Sequence, residues 1–176
     1  MSKKLQGNER REIVLNWLKS SDRPLTGSEL ATKANVSRQV IVQDISLLKA
    51  KNHPIMATSN GYIYMSTEAN EGVITQVIAC KHDGVDTREE LYTIVDYGCT
   101  VKDVMIEHPV YGELKASLMV SNRAEVDRFI DRMEAEQAPL LLELTGGIHN
   151  HTITSKEKWQ IEQAIQNLQQ KGFLLE

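Results

Sequence analysis

The sequence predicts an α+β protein of 176 residues in two parts, three helices closed by a β-hairpin and then a β-α-β-β-α-β-α succession. Three observations carry this reading. Apolar residues recur at helical spacing through the first fifty positions. A polar stretch without periodicity, "STEANEG" at 66–72, then separates two patterns of sequence. Beyond it, strand-like and helix-like runs alternate, the mixture that forms an antiparallel-rich sheet packed with helices. The expected division is a domain over 1–65, a linker over 66–72 and a second domain over 73–176.

In the first part, "REIVLNWLKSS" sets Ile13, Val14, Trp17 and Leu18 on one helical face. Pro24 ends the connection that follows. Thr26 with Glu29 three residues on makes a capping box for a short second helix, "GSELATKA". Ser37 caps a third helix over roughly Arg38 to Ala50. About three residues separate helices two and three, the length of the turn in a helix-turn-helix. "PIMATSNGYIYM" then gives two short β-prone runs around Asn60-Gly61, a hairpin signal.

In the second part, "VITQVIAC" reads as a strand and "TREELYTIVDYG" as a helix ended by Gly98. "TVKDVMIEH" and "VYGELKASLMV" are two strand-like runs parted near His108-Pro109. "NRAEVDRFIDRMEAEQ" turns Val126, Phe129, Ile130 and Met133 inward as an amphipathic helix. "GGIHNHTI" is a further strand, and Thr154 with Glu157 suggests a capping box that stops it and opens a last helix. That helix carries Trp159, Ile161, Ile165 and Leu168 on its apolar side.

Composition narrows the class. At 41% hydrophobic and 25% charged the chain is ordinary globular material. No apolar run approaches a membrane span, "MSKKLQGNERR" lacks a signal-peptide core, and Cys80 and Cys99 make neither a disulfide framework nor a CxxC pair. A cytoplasmic protein without membrane partners is expected. The net charge of −4 hides an asymmetry: up to Met65 ten Lys/Arg stand against five acids, net +5, leaving −9 for the remainder. A basic N-terminal third points to nucleic acid locally.

At ~100° per residue, Ile41, Ile45 and Leu48 face the interior of helix three, widened by Val40 and Leu47. Gln39, Gln43 and Ser46 face outward, flanked by Arg38, Val42 and Lys49. Amides and a guanidinium can pair bidentately with purine edges in the major groove, and Val42 can meet a thymine methyl. Ser37 at the helix start, Lys49 and Asn60 in the hairpin complete the expected DNA-binding set, with phosphate contacts from the cations and helix N-termini.

A different chemistry gathers in the second part. His149 and His151 share one strand face, with Cα atoms ~6.5–7 Å apart. Such a pair is either two hydrogen-bonded polar residues or half of a metal site. "ACKHDGVDTREELY" puts His82 just after the first strand and Glu90 in the first turn of the next helix. Glu90 is either a capping partner of Thr87 or, if Asp86 and Glu89 form the cap, free to point elsewhere. His82, Glu90, His149 and His151 would together make a three-nitrogen, one-oxygen set suited to Ni, Zn or Fe. Cys80, on the same strand face as His82, is an alternative ligand or plain core.

Two resemblances sharpen this. "LTGSELATKANVSRQVIVQDISLLKAKN" with its hairpin resembles the winged helix-turn-helix of the biotin-repressor type. "IACKHDGVDTREELYTIVDYGCTVKDVMIEHPVYGEL" and "TGGIHNHTI" resemble the 3H domain, and the whole chain is similar to the niacin-responsive transcription repressors of the NiaR type. The resemblance implies an HPr-like fold for the second domain. It implies one divalent metal held by His82, Glu90, His149 and His151, with effector bound beside His82, His149 and His151. It also implies nicotinic acid or a related pyridine carboxylate as co-repressor, controlling genes of NAD synthesis or niacin uptake. A homodimer on a palindromic operator is the expected assembly. No nucleophile elbow or phosphate loop is present, so no catalytic residue is expected. The rival readings are a metal sensor and a metalloenzyme carrying a DNA-binding domain.

Overall fold

The computed structural model describes residues 7–65 and 72–175, and the chain divides into two compact units, Met1–Ala69 and Asn70–Glu176. Residues 66–71 of the expected linker lie outside the described residues.

In the first unit, helix α1 (Gly7–Lys19) buries Val14, Leu15 and Leu18. Leu15 is thus more deeply buried than Ile13, and Trp17 packs partly buried at the edge of the core. Helix α2 (Gly27–Ala34) starts on the foreseen capping box. Thr26 N–H donates to Glu29 Oε2 at 2.7 Å, and Glu29 N–H donates to Thr26 Oγ1 at 3.1 Å. Asn35 ends α2 in the left-handed region, and Ser37 caps α3 (Arg38–Ala50), so the turn is as tight as expected.

The inner face of α3 differs from the expectation in one respect. Leu47 is 48% exposed, and the buried stripe runs through Ile41, Asp44, Ile45 and Leu48. A carboxylate belongs there because Arg10 reaches it with Nε at 2.5 Å and Nη2 at 3.1 Å, and Arg11 with Nη1 at 3.3 Å. Two of the cations that make this segment basic therefore clamp α1 to α3 by a largely buried pair.

Strands β1 (Ile55–Thr58) and β2 (Gly61–Tyr64) pair antiparallel with Thr58 opposite Gly61. The turn residues are Ser59 and Asn60, one position earlier than the Asn-Gly signal suggests. Gly61 serves another purpose. Leu25 and Tyr62 exchange backbone hydrogen bonds at 2.9 and 2.8 Å, and a Cβ on Gly61 would lie 2.6 Å from the Leu25 carbonyl oxygen. The glycine lets the α1–α2 connection dock on the hairpin.

The second unit follows the predicted order: β3 (Ile74–Lys81), α4 (Thr87–Val95), β4 (Thr100–His108), β5 (Gly112–Val120), α5 (Arg123–Ala135), β6 (Ile148–Ser155) and α6 (Lys158–Gln170). The four strands form one antiparallel sheet in the order β3-β6-β4-β5. Alternation along β3 and β6 turns Ile78, Cys80, His149, His151 and Ile153 to the helix-covered face, where Leu91, Ile94, Ala164 and Leu168 meet them. Val77, on the other face, is 50% exposed. Phe173 folds back so that its carbonyl accepts from Lys81 N–H at 2.8 Å, closing that end of the β3 edge.

Two expectations here are corrected. Thr154 and Glu157 do not form a capping box with each other; Glu157 is itself the N-cap, boxed with Gln160. Thr154 is buried within β6, which runs to Ser155, and α6 opens on Glu157, whose N–H is accepted by Gln160 Oε1 at 3.2 Å. The histidine pair therefore sits in the first half of its strand, not at its C-terminal end. Trp159 is 56% exposed, because the buried stripe of α6 runs through Ile161, Ala164 and Leu168.

Candidate functional site

The antiparallel register assembles the site. Cys80 pairs with His149, Ile78 with His151, and Val104 of β4 with His151 on the other side. His82 lies two residues beyond Cys80 and so continues the same face. Helix α4 lies across that face and contributes Glu90. Neither capping box considered for this helix forms, because Asp86 has helical backbone angles and its side chain makes no cap hydrogen bond. Glu90 is consequently released from the helix end, and its side chain is fully buried.

All four sequence-selected residues meet. His82 Nε2 is 2.8 Å from Glu90 Oε2, His149 Nε2 is 3.0 Å from Oε1, and His151 Nε2 is 3.3 Å from Oε2. His149 stands edge-on to both other imidazoles, with ring centroids 4.9 Å apart in each pair. The opposite nitrogens are equally committed. His82 Nδ1 donates to the Asp83 carbonyl at 2.8 Å, His149 Nδ1 to that of Gly147 at 2.9 Å, and His151 Nδ1 to that of Asp103 at 2.7 Å. A carbonyl only accepts, so each Nδ1 carries the proton and each Nε2 lone pair of a neutral ring faces the carboxylate.

Three lone pairs and an anion facing each other repel unless something positive lies among them. Without an ion, protons on the imidazoles supply that charge: burial favours a neutral Glu90, but the charge on His151 and hydrogen bonds from His149 and His151 outweigh it, holding the carboxyl well below its usual range. Burial likewise lowers His151 and His82, and Glu90 more than offsets it, leaving both raised. His82 Nε2 is close to Glu90 but misaligned for a hydrogen bond, and is left buried without a partner. An orphaned donor nitrogen, two further imidazoles and an ionised carboxylate fit a divalent transition ion, with each imidazole oriented from behind by a carbonyl. Cys80 is a close neighbour: its Sγ, a Glu90 oxygen and a His149 nitrogen lie within 4.8 Å of one another. Burial first, then the Glu90 charge, push its thiol far up, so without an ion it stays neutral.

The glycine before the strand is integral. Gly147 (φ +91) approaches so closely that a Cβ would lie 2.3 Å from the His82 carbonyl oxygen. Its own carbonyl holds both His82 N–H, at 3.3 Å, and His149 Nδ1. Asp103, at an irregularity in β4, plays the matching part for His151. Its carboxylate accepts from Thr152 N–H at 3.0 Å and pairs with Lys115 at 2.8 Å, while its carbonyl orients the ring.

A cavity of about 110 Å³ opens beside Glu90, His149 and His151. Thr87 contributes a further polar group, and Leu91, Val104, Leu118, Phe129, Met133 and Pro139–Leu142 supply apolar walls. His82 does not line it and touches the site through Glu90. Sequence reasoning missed Thr87 and the segment 139–142, whose 3-10 turn (Leu141–Thr145) buries Leu142. Their only local signal was an unassigned Leu-rich run. His108 has a turn role, its Nδ1 accepting from Val110 and Tyr111 N–H at 3.2 Å each.

On the first unit, Arg38, Gln39, Gln43, Ser46 and Lys49 are exposed along one side of α3 with Val42 half-buried among them, and Ser37 stands exposed at its start. Ser37 Oγ accepts from Val40 N–H at 3.4 Å, and Ser46 Oγ donates to the Val42 carbonyl at 2.9 Å, so Ser46 offers chiefly acceptor capacity. Asn60 is at the hairpin tip.

A helix-turn-helix unit joined to a unit with a buried polar cluster and an adjoining cavity has the make-up of a DNA-binding regulator. Sequence comparison agrees. A model of the 3H domain matches residues 75–176, and an HTH domain model matches 10–63. The chain is 55% identical over 173 residues to the transcription repressor NadR of Bacillus subtilis (strain 168), spanning 98% of this chain and 96% of that protein. It is 38% identical over 176 residues to the probable transcription repressor NiaR of Thermotoga maritima, spanning 100% and 99% respectively. The chain belongs to the 3H-domain family of helix-turn-helix transcription repressors. Among the described residues no helix is long and apolar enough to cross a membrane.

Proposed function

We propose that the chain is a cytoplasmic, non-enzymatic repressor of genes for NAD synthesis or niacin uptake, with a divalent metal and a pyridine monocarboxylate, nicotinic acid, as co-repressor. The observation that supports it most is the set of three Nε2 atoms around one ionised, buried carboxylate, which with His149 and His151 forms the polar end of an apolar cavity. His82, Glu90, His149 and His151 would hold the ion, which when bound supplies a Lewis-acidic position for an anionic oxygen. One carboxylate against a dication leaves a formal +1, and a buried net charge is costly. A monocarboxylate neutralises it. Neutral nicotinamide leaves the charge in place, and the dianion quinolinate overshoots to −1. The walls formed by Leu91, Phe129 and Leu140 suit a flat ring, which is why we favour an organic signal over the ion alone.

Gln39, Gln43 and Arg38 would read base edges while Lys49 and the hairpin hold phosphates. A homodimer would set two α3 helices about one DNA turn, ~34 Å, apart on a palindrome. The co-repressor acts by favouring the DNA-competent arrangement through its differential affinity for it. Metal analysis followed by calorimetry with nicotinate, nicotinamide and quinolinate tests the reading. We expect one ion per chain, nicotinate binding abolished by chelation, and tighter operator binding in its presence. Operator affinity unchanged by nicotinate in metal-loaded protein would overturn it.

A further inference from the structure

Helix α4 places a second polar group in the same cavity. Thr87, its first residue, is one turn before Glu90, and residues three apart share a helical face. The side chain is buried at 5% exposure, and Oγ1 has no hydrogen-bond partner. A threonine in a helix ordinarily satisfies its hydroxyl on the carbonyl four residues back. Thr93 of the same helix does so, its Oγ1 donating to the Glu89 carbonyl at 2.7 Å. For Thr87 that carbonyl belongs to Asp83, which already accepts from His82 Nδ1 at 2.8 Å and Asp86 N–H at 3.1 Å. Both of its lone pairs are used. The imidazole N–H groups of the cavity are likewise spent on carbonyls. The Thr87 hydroxyl is therefore the one donor among the cavity's lining side chains left without a partner.

We propose that Thr87 is the specificity-determining residue for the ring of the effector, its O–H donating to a ring nitrogen and so selecting a heteroaromatic acid over its carbocyclic analogue. The inference rests on the cavity being the pyridine-carboxylate site. With the carboxylate held at the Glu90–His149–His151 end, the ring lies among Leu91, Phe129 and Met133. A ring nitrogen buried there unpaired loses its hydrogen bond with water and recovers nothing. The hydroxyl on the cavity wall restores it and is itself satisfied in the same contact.

The test is calorimetry of nicotinate and benzoate binding to full-length, metal-loaded wild type, Thr87→Val, Thr87→Ser and Thr87→Ala. Valine keeps the shape and removes the hydroxyl. Wild type should prefer nicotinate by about tenfold or more, the factor that ~1.4 kcal/mol represents. Thr87→Val should bring the two acids within about twofold by weakening nicotinate alone, and Thr87→Ser should keep the preference. Metal content should be equal in all four proteins. Thr87→Ala reads the same loss of preference should valine not be accommodated. An unchanged nicotinate-to-benzoate ratio in the hydroxyl-free variants overturns this inference alone. Failure of wild type to bind either acid overturns the proposed function with it.

Discussion

Replacing Gly147 by alanine perturbs the site without touching any of its side chains. An alanine Cβ there would lie 2.3 Å from the His82 carbonyl oxygen and 3.1 Å from its carbonyl carbon, about 0.7 Å inside the 3.0 Å that real Cβ atoms keep. Both obstructing atoms are backbone, so no rotamer change relieves the clash. The φ of +91 adds about 1–2 kcal/mol for a residue with a Cβ. Strain and displacement together should cost about 2–4 kcal/mol. The displaced backbone carries the carbonyl that fixes His149 and the bond that holds His82 N–H. Loss of such an outer hydrogen bond weakens metal binding by about 10–100-fold. Gly146 is a matched control: its φ is +60, but nothing lies within 4 Å of an added Cβ, so alanine there should cost only about 1 kcal/mol.

The assays are thermal unfolding of full-length protein and metal competition against a chelator of known affinity. A unit of about 100 residues shifts its melting temperature by about 4–8 °C per kcal/mol. Gly147→Ala should therefore melt at least ~5 °C below Gly146→Ala and hold metal at least tenfold more weakly. A Gly147→Ala protein that melts with the control and binds metal like wild type would refute the argument that this backbone approach positions the two imidazoles.

Three further outcomes follow from the first unit. Asp44→Ala should destabilise it by about 3 kcal/mol, because Arg10 and Arg11, with side chains only 12% and 18% exposed, lose their shared carboxylate; denaturant unfolding indistinguishable from wild type would contradict the clamp. Hydrogen bonds from Arg23 and then from the Thr26 N–H depress Glu29 to about 2 from an ordinary 4.5. A depressed carboxylate contributes stability above pH ~4.5 that is lost as pH falls through ~2, so the wild-type advantage in melting temperature over Glu29→Gln should narrow across that window. Its side chain is 38% exposed, which keeps the effect below ~1 kcal/mol, and a gap constant with pH would count against the cap and ion pair as its source. On operator DNA, Gln43→Ala should cost about 1–3 kcal/mol and leave random-sequence binding unchanged, whereas Lys49→Ala should weaken both and lower the salt slope by about one. Equal losses for Gln43→Ala on both DNAs would remove it from the base-reading face.

What the sequence made legible is what local chemistry decides. Thr26, Glu29 and Ser37 start their helices because the caps are satisfied within three residues, and the order of strands and helices follows from periodicity alone. Expectations failed where a distant group decides. Asp44 occupies a core stripe because Arg10, thirty-four residues away, meets it there, whereas Leu47 and Trp159 sit just off the buried stripes that their helices turned out to have. Thr154 and Glu157 have the spacing of a cap, yet pairing with both β3 and β4 keeps Thr154 in strand conformation. Glu90 shows the same contest with the opposite consequence. Its local alternative was a capping box with Thr87, which did not form, and the carboxylate went to the three histidines instead. Which of these outcomes prevails depends on the register that sets Cys80 against His149 and on the return of β6 beside β4, and neither is written in the neighbouring residues. Thr87 was hidden for a related reason. A threonine at a helix start looks like ordinary capping chemistry until the carbonyl four residues back is found to be occupied. The residues that sequence reasoning brought together were chosen by ligand type. Those it missed, Asp103 and Thr87, matter through a backbone carbonyl or the lack of one, which residue identity does not encode.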